Sequence, residues 1–235
     1  MPKQRINTEA EDLRKEILAA LPKGVYAGMC HIPLGYRNMT AENYRGDISK
    51  IITGLHQGLN ITLLGVCGTG KTHIAVALIY EWLKKNITVK KTFDEFLMEE
   101  SFSVKPTNNL EVPMFLPADV LYLELRSVIG TFQTEDVIYL RYTKYPLLVL
   151  DDIASEKITE AKREALYIIL ERRNREGKQT IATSNKSLNC ISSEIDDRIA
   201  SRLSKGMVIT LEGEDNRLKQ AKINNLHFKL QTKEK

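Results

Sequence analysis

The sequence predicts a three-layer α/β fold, an open parallel sheet with helices packed on both faces. Three observations lead there. Short apolar runs of strand length, Ile61–Leu64 and Leu147–Leu150, read as strands buried on both sides, and Met207–Leu211 reads as a last strand. Stretches with apolar residues at helical spacing lie between them. A glycine-rich turn joins the first of these strands directly to a helix.

That turn is Gly65-Val66-Cys67-Gly68-Thr69-Gly70-Lys71-Thr72, followed by His73. It matches the phosphate-loop pattern G-x-x-x-x-G-K-[ST] at every fixed position. Glycine at 65, 68 and 70 allows positive φ and close approach of the backbone to an anion. The loop N–H groups and the positive end of the following helix then face a polyphosphate. Lys71 is placed for the β- and γ-phosphates, and the Thr72 hydroxyl for Mg²⁺. The chemistry implied is binding of a nucleoside triphosphate. In the helix that follows, Ile74, Ala75, Leu78, Ile79, Trp82 and Leu83 share one face.

The chain has 235 residues, enough for one α/β domain with short extensions, and its 43% hydrophobic and 27% charged residues are those of a soluble protein. No apolar run approaches the ~18 residues of a membrane span, and the first residues show no signal-peptide core. Cys30, Cys67 and Cys190 lie far apart, so reduced thiols in a cytoplasm are expected rather than disulfides or a zinc site. A net charge of +4 permits contact with nucleic acid without requiring it.

In chain order, residues 7–21 read as an amphipathic helix. Thr8 and Glu11 form a capping box, Leu13, Ile17, Leu18 and Leu21 make a stripe, and Pro22-Lys23-Gly24 stops it. Residues 25–46 read as an ordered loop carrying Tyr26, Tyr36 and Tyr44, and 47–57 as helical. Residues 87–117 mix charge, Asn and three prolines. They are expected to be an insertion or long loop with a short helix around Asp94–Glu99. Val120–Leu123 then reads as the second core strand, followed by a helix from Leu125 to Ile129.

Leu147–Leu150 ends in Asp151-Asp152, two carboxylates at the C-terminal end of a buried strand, where open parallel sheets bind ligands. Asp151 suits Mg²⁺, and Asp152 suits orienting and deprotonating an attacking water. Residues 159–176 form a helix closed by Gly177. The strand Gln179–Ser184 then delivers Asn185, an amide able to hydrogen-bond the water or the γ-phosphate. A helix over 193–204 puts Arg198 and Arg202 on one face.

With these pieces in order, the chain resembles the AAA+ ATPases, and within them the DnaC/DnaI-type helicase loaders and IstB-type transposition ATPases. The likeness rests on Gly65–Thr72, Leu147–Ile153, Gly177–Asn185 with its Thr-Ser-Asn, and Asp197–Leu203. Ile32-Pro33, Tyr36-Arg37-Asn38 and Tyr44 add support ahead of the core. The resemblance implies a three-layer P-loop NTPase of AAA+ type with a five-stranded parallel sheet, and a homo-oligomeric ring or spiral with ATP and Mg²⁺ between neighbours. It makes Asn185 the sensor 1 residue and Arg202 an arginine finger, with Arg198 beside it. The domain division is 1–46 as an N-terminal extension, 47–217 as the ATPase core with its insertion, and 218–235 as a tail too short for a large helical lid. Arg217 is left without an assigned role. The partners implied are a replicative hexameric helicase and single-stranded DNA, contacted near Arg126–Glu135 with Arg126, Arg141 and Lys144 as nearby cations. A transposase on duplex DNA, or a protein partner alone, are the alternatives.

Overall fold

A computed structural model describes residues 11–19, 21, 25–94, 99–106, 112–128, 134–154, 158–213 and 215. The first helix, α1, spans residues 11–19, and the capping box at Thr8 lies outside the described residues. Leu18 of α1 packs on the core, and the Arg14 guanidinium donates to the Lys84 carbonyl at 3.0 Å. The segment read as a loop contains a short helix, α2 (Val25–Met29), and a 3-10 turn at Leu34–Tyr36. Helix α3 is Ser49–His56, strand β1 is Ile61–Leu64 and helix α4 is Lys71–Asn86.

Residues after α4 depart from expectation. Strands β2 (Ile87–Asp94) and β3 (Glu99–Pro106) form an antiparallel hairpin, in register from Ile87 opposite Pro106 to Asp94 opposite Glu99. Asp94 and Glu99 end strands there, and residues 95–98, the middle of the expected short helix, lie outside the described residues. The second core strand is β4 (Met114–Pro117), and Val120–Leu123 lies within helix α5 (Ala118–Ser127). The burial pattern explains the correction: Leu121, Tyr122 and Leu125 are buried while Val120 and Leu123 are exposed. That is a helical face and not a strand buried on both sides. Pro117 sits at the N-cap, where its missing N–H costs nothing.

The remaining elements are α6 (Glu135–Lys144), β5 (Leu147–Asp151), α7 (Glu160–Arg175), β6 (Gln179–Ser184), α8 (Leu188–Glu194), α9 (Asp197–Leu203) and β7 (Met207–Thr210). The helix read over 193–204 is therefore split. Asp196 is extended and its carboxylate accepts the Arg198 N–H at 2.8 Å, which starts α9 as a separate helix.

The five-stranded sheet has the order β4-β5-β6-β1-β7, with every pair parallel. Period-2 alternation divides its side chains between two cores. Ile61, Leu63, Phe115, Leu147, Val149 and Ile181 face α3, α4 and the N-terminal segment. Leu64, Met114, Leu116, Leu148, Leu150 and Ala182 face α5 through α9. The described residues after β7 include no helical domain.

One buried cation ties the second layer together. Arg173 on α7 has no exposed surface, and it donates to the Thr180 hydroxyl and to the carbonyls of Tyr142, Thr143, Tyr145 and Gln179. Burial pushes its pKa down to about 9, so it stays charged at neutral pH. It thereby joins the end of α6 to the start of β6.

Candidate nucleotide site

Parallel pairing brings four functional segments to one edge. Leu64 is level with Ser184 and with Thr210, and Pro117 is level with Asp151. The phosphate loop, Asp151-Asp152, Asn185 and Leu211-Glu212 all leave the sheet there. β1 lies between β6 and β7, at the position where open α/β sheets form a crevice.

The loop has the backbone its glycines predict, with φ of 145° at Gly65, 75° at Gly68 and 97° at Gly70. A Cβ at Gly68 would lie 1.8 Å from an Asp215 carboxylate oxygen, and one at Gly65 would lie 2.4 Å from the Leu211 carbonyl. The chain after β7 therefore packs directly on the loop. Lys71 is largely buried, and its ammonium donates to the carbonyls of Gly65 at 2.7 Å and Val66 at 2.8 Å. Thr69 closes the turn by donating to the Val66 carbonyl at 2.9 Å.

Hydroxyl groups link the loop to the carboxylates. Thr72 donates to Asp151 at 3.1 and 3.2 Å, and Thr183 of β6 donates to the same carboxylate at 2.8 Å. The Thr183 oxygen also accepts the Asp152 N–H at 2.8 Å. Asp152 itself has φ of 59°, a left-handed conformation that Asp tolerates and most residues avoid. Burial pushes the Asp151 carboxyl above the usual range, while the Thr183 and Thr72 hydroxyls oppose the rise. The buried amide oxygen of Asn185 has no hydrogen-bond partner among the described residues. A buried acceptor left unmatched at a strand end is suited to a donor that arrives with a ligand.

A cavity of about 500 Å³ runs over Gly68–His73 to Asp152, Thr183 and Asn185, within the range of small-molecule sites. The sequence-predicted residues Cys67, Gly68, Thr69, Gly70, Lys71, Thr72, His73, Asp152 and Asn185 all line it. Asp151 lies just behind, joined through Thr72 and Thr183. A hard divalent cation takes oxygen ligands, and the Thr72 hydroxyl beside the Asp151 carboxylate fits that chemistry.

The outer wall was not assigned from sequence. Met39, Asn43, Tyr44, Arg45 and Gly46 close the cavity opposite the sheet. Three residues on α4 pin this segment. His73 Nε2 lies 2.9 Å from the Thr40 carbonyl, Tyr80 donates to the Arg37 carbonyl at 2.9 Å, and Lys84 pairs with Glu42 at 2.7 Å. The Tyr44 ring meets His73 edge-on at 5.2 Å, and a Cβ on Gly70 would lie 2.9 Å from that ring. Tyr44, singled out only as part of a motif, is thus a wall of the site. Glu212 is a second lining residue without a sequence signal.

Arg198 and Arg202 are not among the residues lining this cavity. Arg202 Nε donates to Glu171 at 2.8 Å, and Arg198 makes a forked pair with Asp196 and approaches Glu164 at 3.6 Å. Arg202 lowers the Glu171 pKa and Glu171 raises that of Arg202. Of the cations near the proposed DNA face, Arg126 is exposed at the end of α5, while Arg141 pairs with Glu124 at 3.1 Å. Residues 129–133 lie outside the described set.

No family model matches the sequence. The chain is 29% identical over 153 residues to the chromosomal replication initiator DnaA of Neisseria meningitidis serogroup C, a match covering 64% of this chain and 24% of that one. It therefore spans about a quarter of the length of the curated relatives it matches. Among solved structures it is similar to the DnaC helicase loader, with a TM-score of 0.58 and 22% identity over 77% of this chain and all of the other. It is also similar to DnaA bound to AMPPCP and single-stranded DNA, with a TM-score of 0.55 and 19% identity over 78% of this chain and 51% of that one. The fold is the one seen in these DnaC and DnaA structures. No helix among the described residues is long and apolar enough to cross a membrane.

Proposed function

We propose that this chain binds and slowly hydrolyses ATP with Mg²⁺, and acts in DNA replication as a loader of a hexameric helicase onto single-stranded DNA. The observation that carries the nucleotide reading is the hydrogen-bonded run Thr72–Asp151–Thr183–Asp152, which joins three neighbouring strand ends under one cavity.

In this reading the loop N–H groups of Gly65–Thr72 cradle the phosphates, and the Lys71 ammonium exchanges its carbonyl contacts for phosphate oxygens. Thr72 and Asp151 hold Mg²⁺, which supplies neutralisation of phosphate charge. Asp152 accepts the proton of the attacking water, and Asn185 orients that water or the γ-phosphate. The resemblance to AAA+ proteins would put glutamate at this position, as most of them have, and Asp152 is one methylene shorter, which accords with slow turnover. Arg202, with Arg198 beside it, reaches the phosphate held by a neighbouring copy. Its location outside its own cavity supports a role across an interface.

The replication assignment rests on likeness to proteins named as a helicase loader and as an initiator bound to single-stranded DNA. Exposed Arg126, with Arg141 and Lys144, would meet phosphate, so DNA affinity should fall steeply with salt.

A mixing experiment tests the shared site. Arg202→Ala keeps an intact phosphate loop, and Lys71→Ala keeps the finger. Each alone should be inactive in ATP turnover, and the mixture should recover part of the activity. Wild-type turnover by Arg202→Ala, or no recovery in confirmed mixed assemblies, rejects the shared site. Copurification with a transposase, or ATP turnover and binding indifferent to DNA, rejects the loader assignment.

A further inference from the structure

Beyond the candidate site, one cluster joins α7 to α9. Glu164, Tyr167 and Glu171 follow one face of α7, and Arg198 and Arg202 follow one face of α9. The Arg198 guanidinium lies 4.3 Å from the Tyr167 ring centroid and that of Arg202 lies 5.3 Å from it. Glu171 divides its two oxygens. One accepts from Arg202 Nε at 2.8 Å and the other from Arg175 at 3.3 Å.

This differs from an ordinary surface ion pair. The Arg202 side chain is 22% exposed and Glu171 25%, whereas Arg175 is 77% exposed. Exposed pairs contribute little because water competes and two long side chains must be ordered. Here the ring of Tyr167 and the docked helix already restrict Arg202. Ile199, Ala200 and Leu203 bury the opposite face of α9, so the arginine's backbone is fixed as well.

We infer that Glu171 is a positioning residue for Arg202: its carboxylate holds the guanidinium through Nε and presents the Nη end to a phosphoryl group bound by a neighbouring copy. The inference rests on the shared-site reading above. One Nη of Arg202 also donates to the Arg198 carbonyl at 3.4 Å. The guanidinium is planar with five N–H donors along more than one edge, so these contacts need not consume its capacity for phosphate. Arg175 on the other Glu171 oxygen offsets the negative charge that would otherwise approach the phosphate. Arginine carries large rotamer freedom, and fixing it before the neighbour docks removes an entropic cost from the reacting assembly.

The test combines single and double variants in steady-state ATP turnover of the assembled full chain. Glu171→Ala should lower kcat about ten-fold or more with KM within about two-fold, as expected when geometry and not substrate binding is lost. Glu171→Gln keeps a carbonyl acceptor for Nε and should recover most of kcat. Glu171→Ala/Arg202→Ala should be no slower than Arg202→Ala, because the carboxylate acts only through the arginine. Mixing Glu171→Ala with Lys71→Ala should restore turnover, whereas mixing it with Arg202→Ala should not. Unfolding temperature identifies any purely structural effect, since that would add to the loss in Arg202→Ala.

An unchanged or increased kcat in Glu171→Ala, with Arg202→Ala inactive, overturns the positioning role and leaves the shared site standing. Additive losses in the double variant overturn it as well. Wild-type turnover by Arg202→Ala would instead remove the shared site itself, a different outcome from the other two.

Discussion

Thr183 is the residue on which the two carboxylates depend, and replacing it by valine isolates that dependence. Valine has nearly the same shape, so the substitution opens no large cavity at this fully buried position. It removes one hydrogen bond donated to Asp151 and one accepted from the Asp152 N–H. Leaving a buried polar group unpaired costs about 1–3 kcal/mol, partly offset by the more apolar side chain, for a net loss of about 2 kcal/mol. For a chain of this size each kcal/mol lowers the melting temperature by roughly 2–4 °C, so a fall of about 4–8 °C is expected. Asp152 is held in a left-handed conformation. Without the Thr183 hydrogen bond it should shift from the attacking position and slow hydrolysis about ten-fold or more. Thermal unfolding and phosphate release, measured on the same preparation, check both numbers. A melting temperature within about 1 °C of wild type together with turnover within about two-fold would refute the role assigned to Thr183.

Two further predictions concern the same cavity. Asp152→Asn should retain Mg-ATP binding while hydrolysis stops, because the shape is kept and the base is lost; equal turnover would move the base elsewhere. Among the three thiols, exposed Cys67 in the loop should react with a thiol reagent and be protected by Mg-nucleotide, while buried Cys30, whose pKa burial pushes up to about 12, should stay silent in the folded protein. Cys67 labelling at the same rate with and without nucleotide would place the nucleotide away from the loop.

Much of the site was legible because its chemistry is local in sequence. The glycines, Lys71 and Thr72 occupy fixed spacings, and the carboxylates follow an unmistakable buried strand. Their convergence needs only the parallel register that brings strand ends together. Elements set by tertiary contacts were less visible. Val120–Leu123 is apolar at every position but Tyr122, and a short apolar run does not separate helix from strand. Only the exposure of Val120 and Leu123 decides it. Residues 87–106 carry few strand signals beyond Ile87, Val89, Phe93, Phe102 and Val104, and the charges between them favoured a loop. The wall formed by residues 39–46 depends on His73, Tyr80 and Lys84, whose partners lie some distance back in the chain. Arg173 looked like one more arginine on a charged helix. Its burial comes from carbonyls supplied by the end of α6 and by β6, which no local pattern announces.

The central claim is that the loop at Gly65–Thr72 holds a nucleoside triphosphate through Lys71. A titration of the full chain with a fluorescent ATP analogue and Mg²⁺, wild type against Lys71→Ala, tests it most directly. Saturable binding by wild type and its loss in a folded Lys71→Ala is the predicted result. Binding by Lys71→Ala within a few-fold of wild type would contradict the assignment of this loop as the nucleotide site.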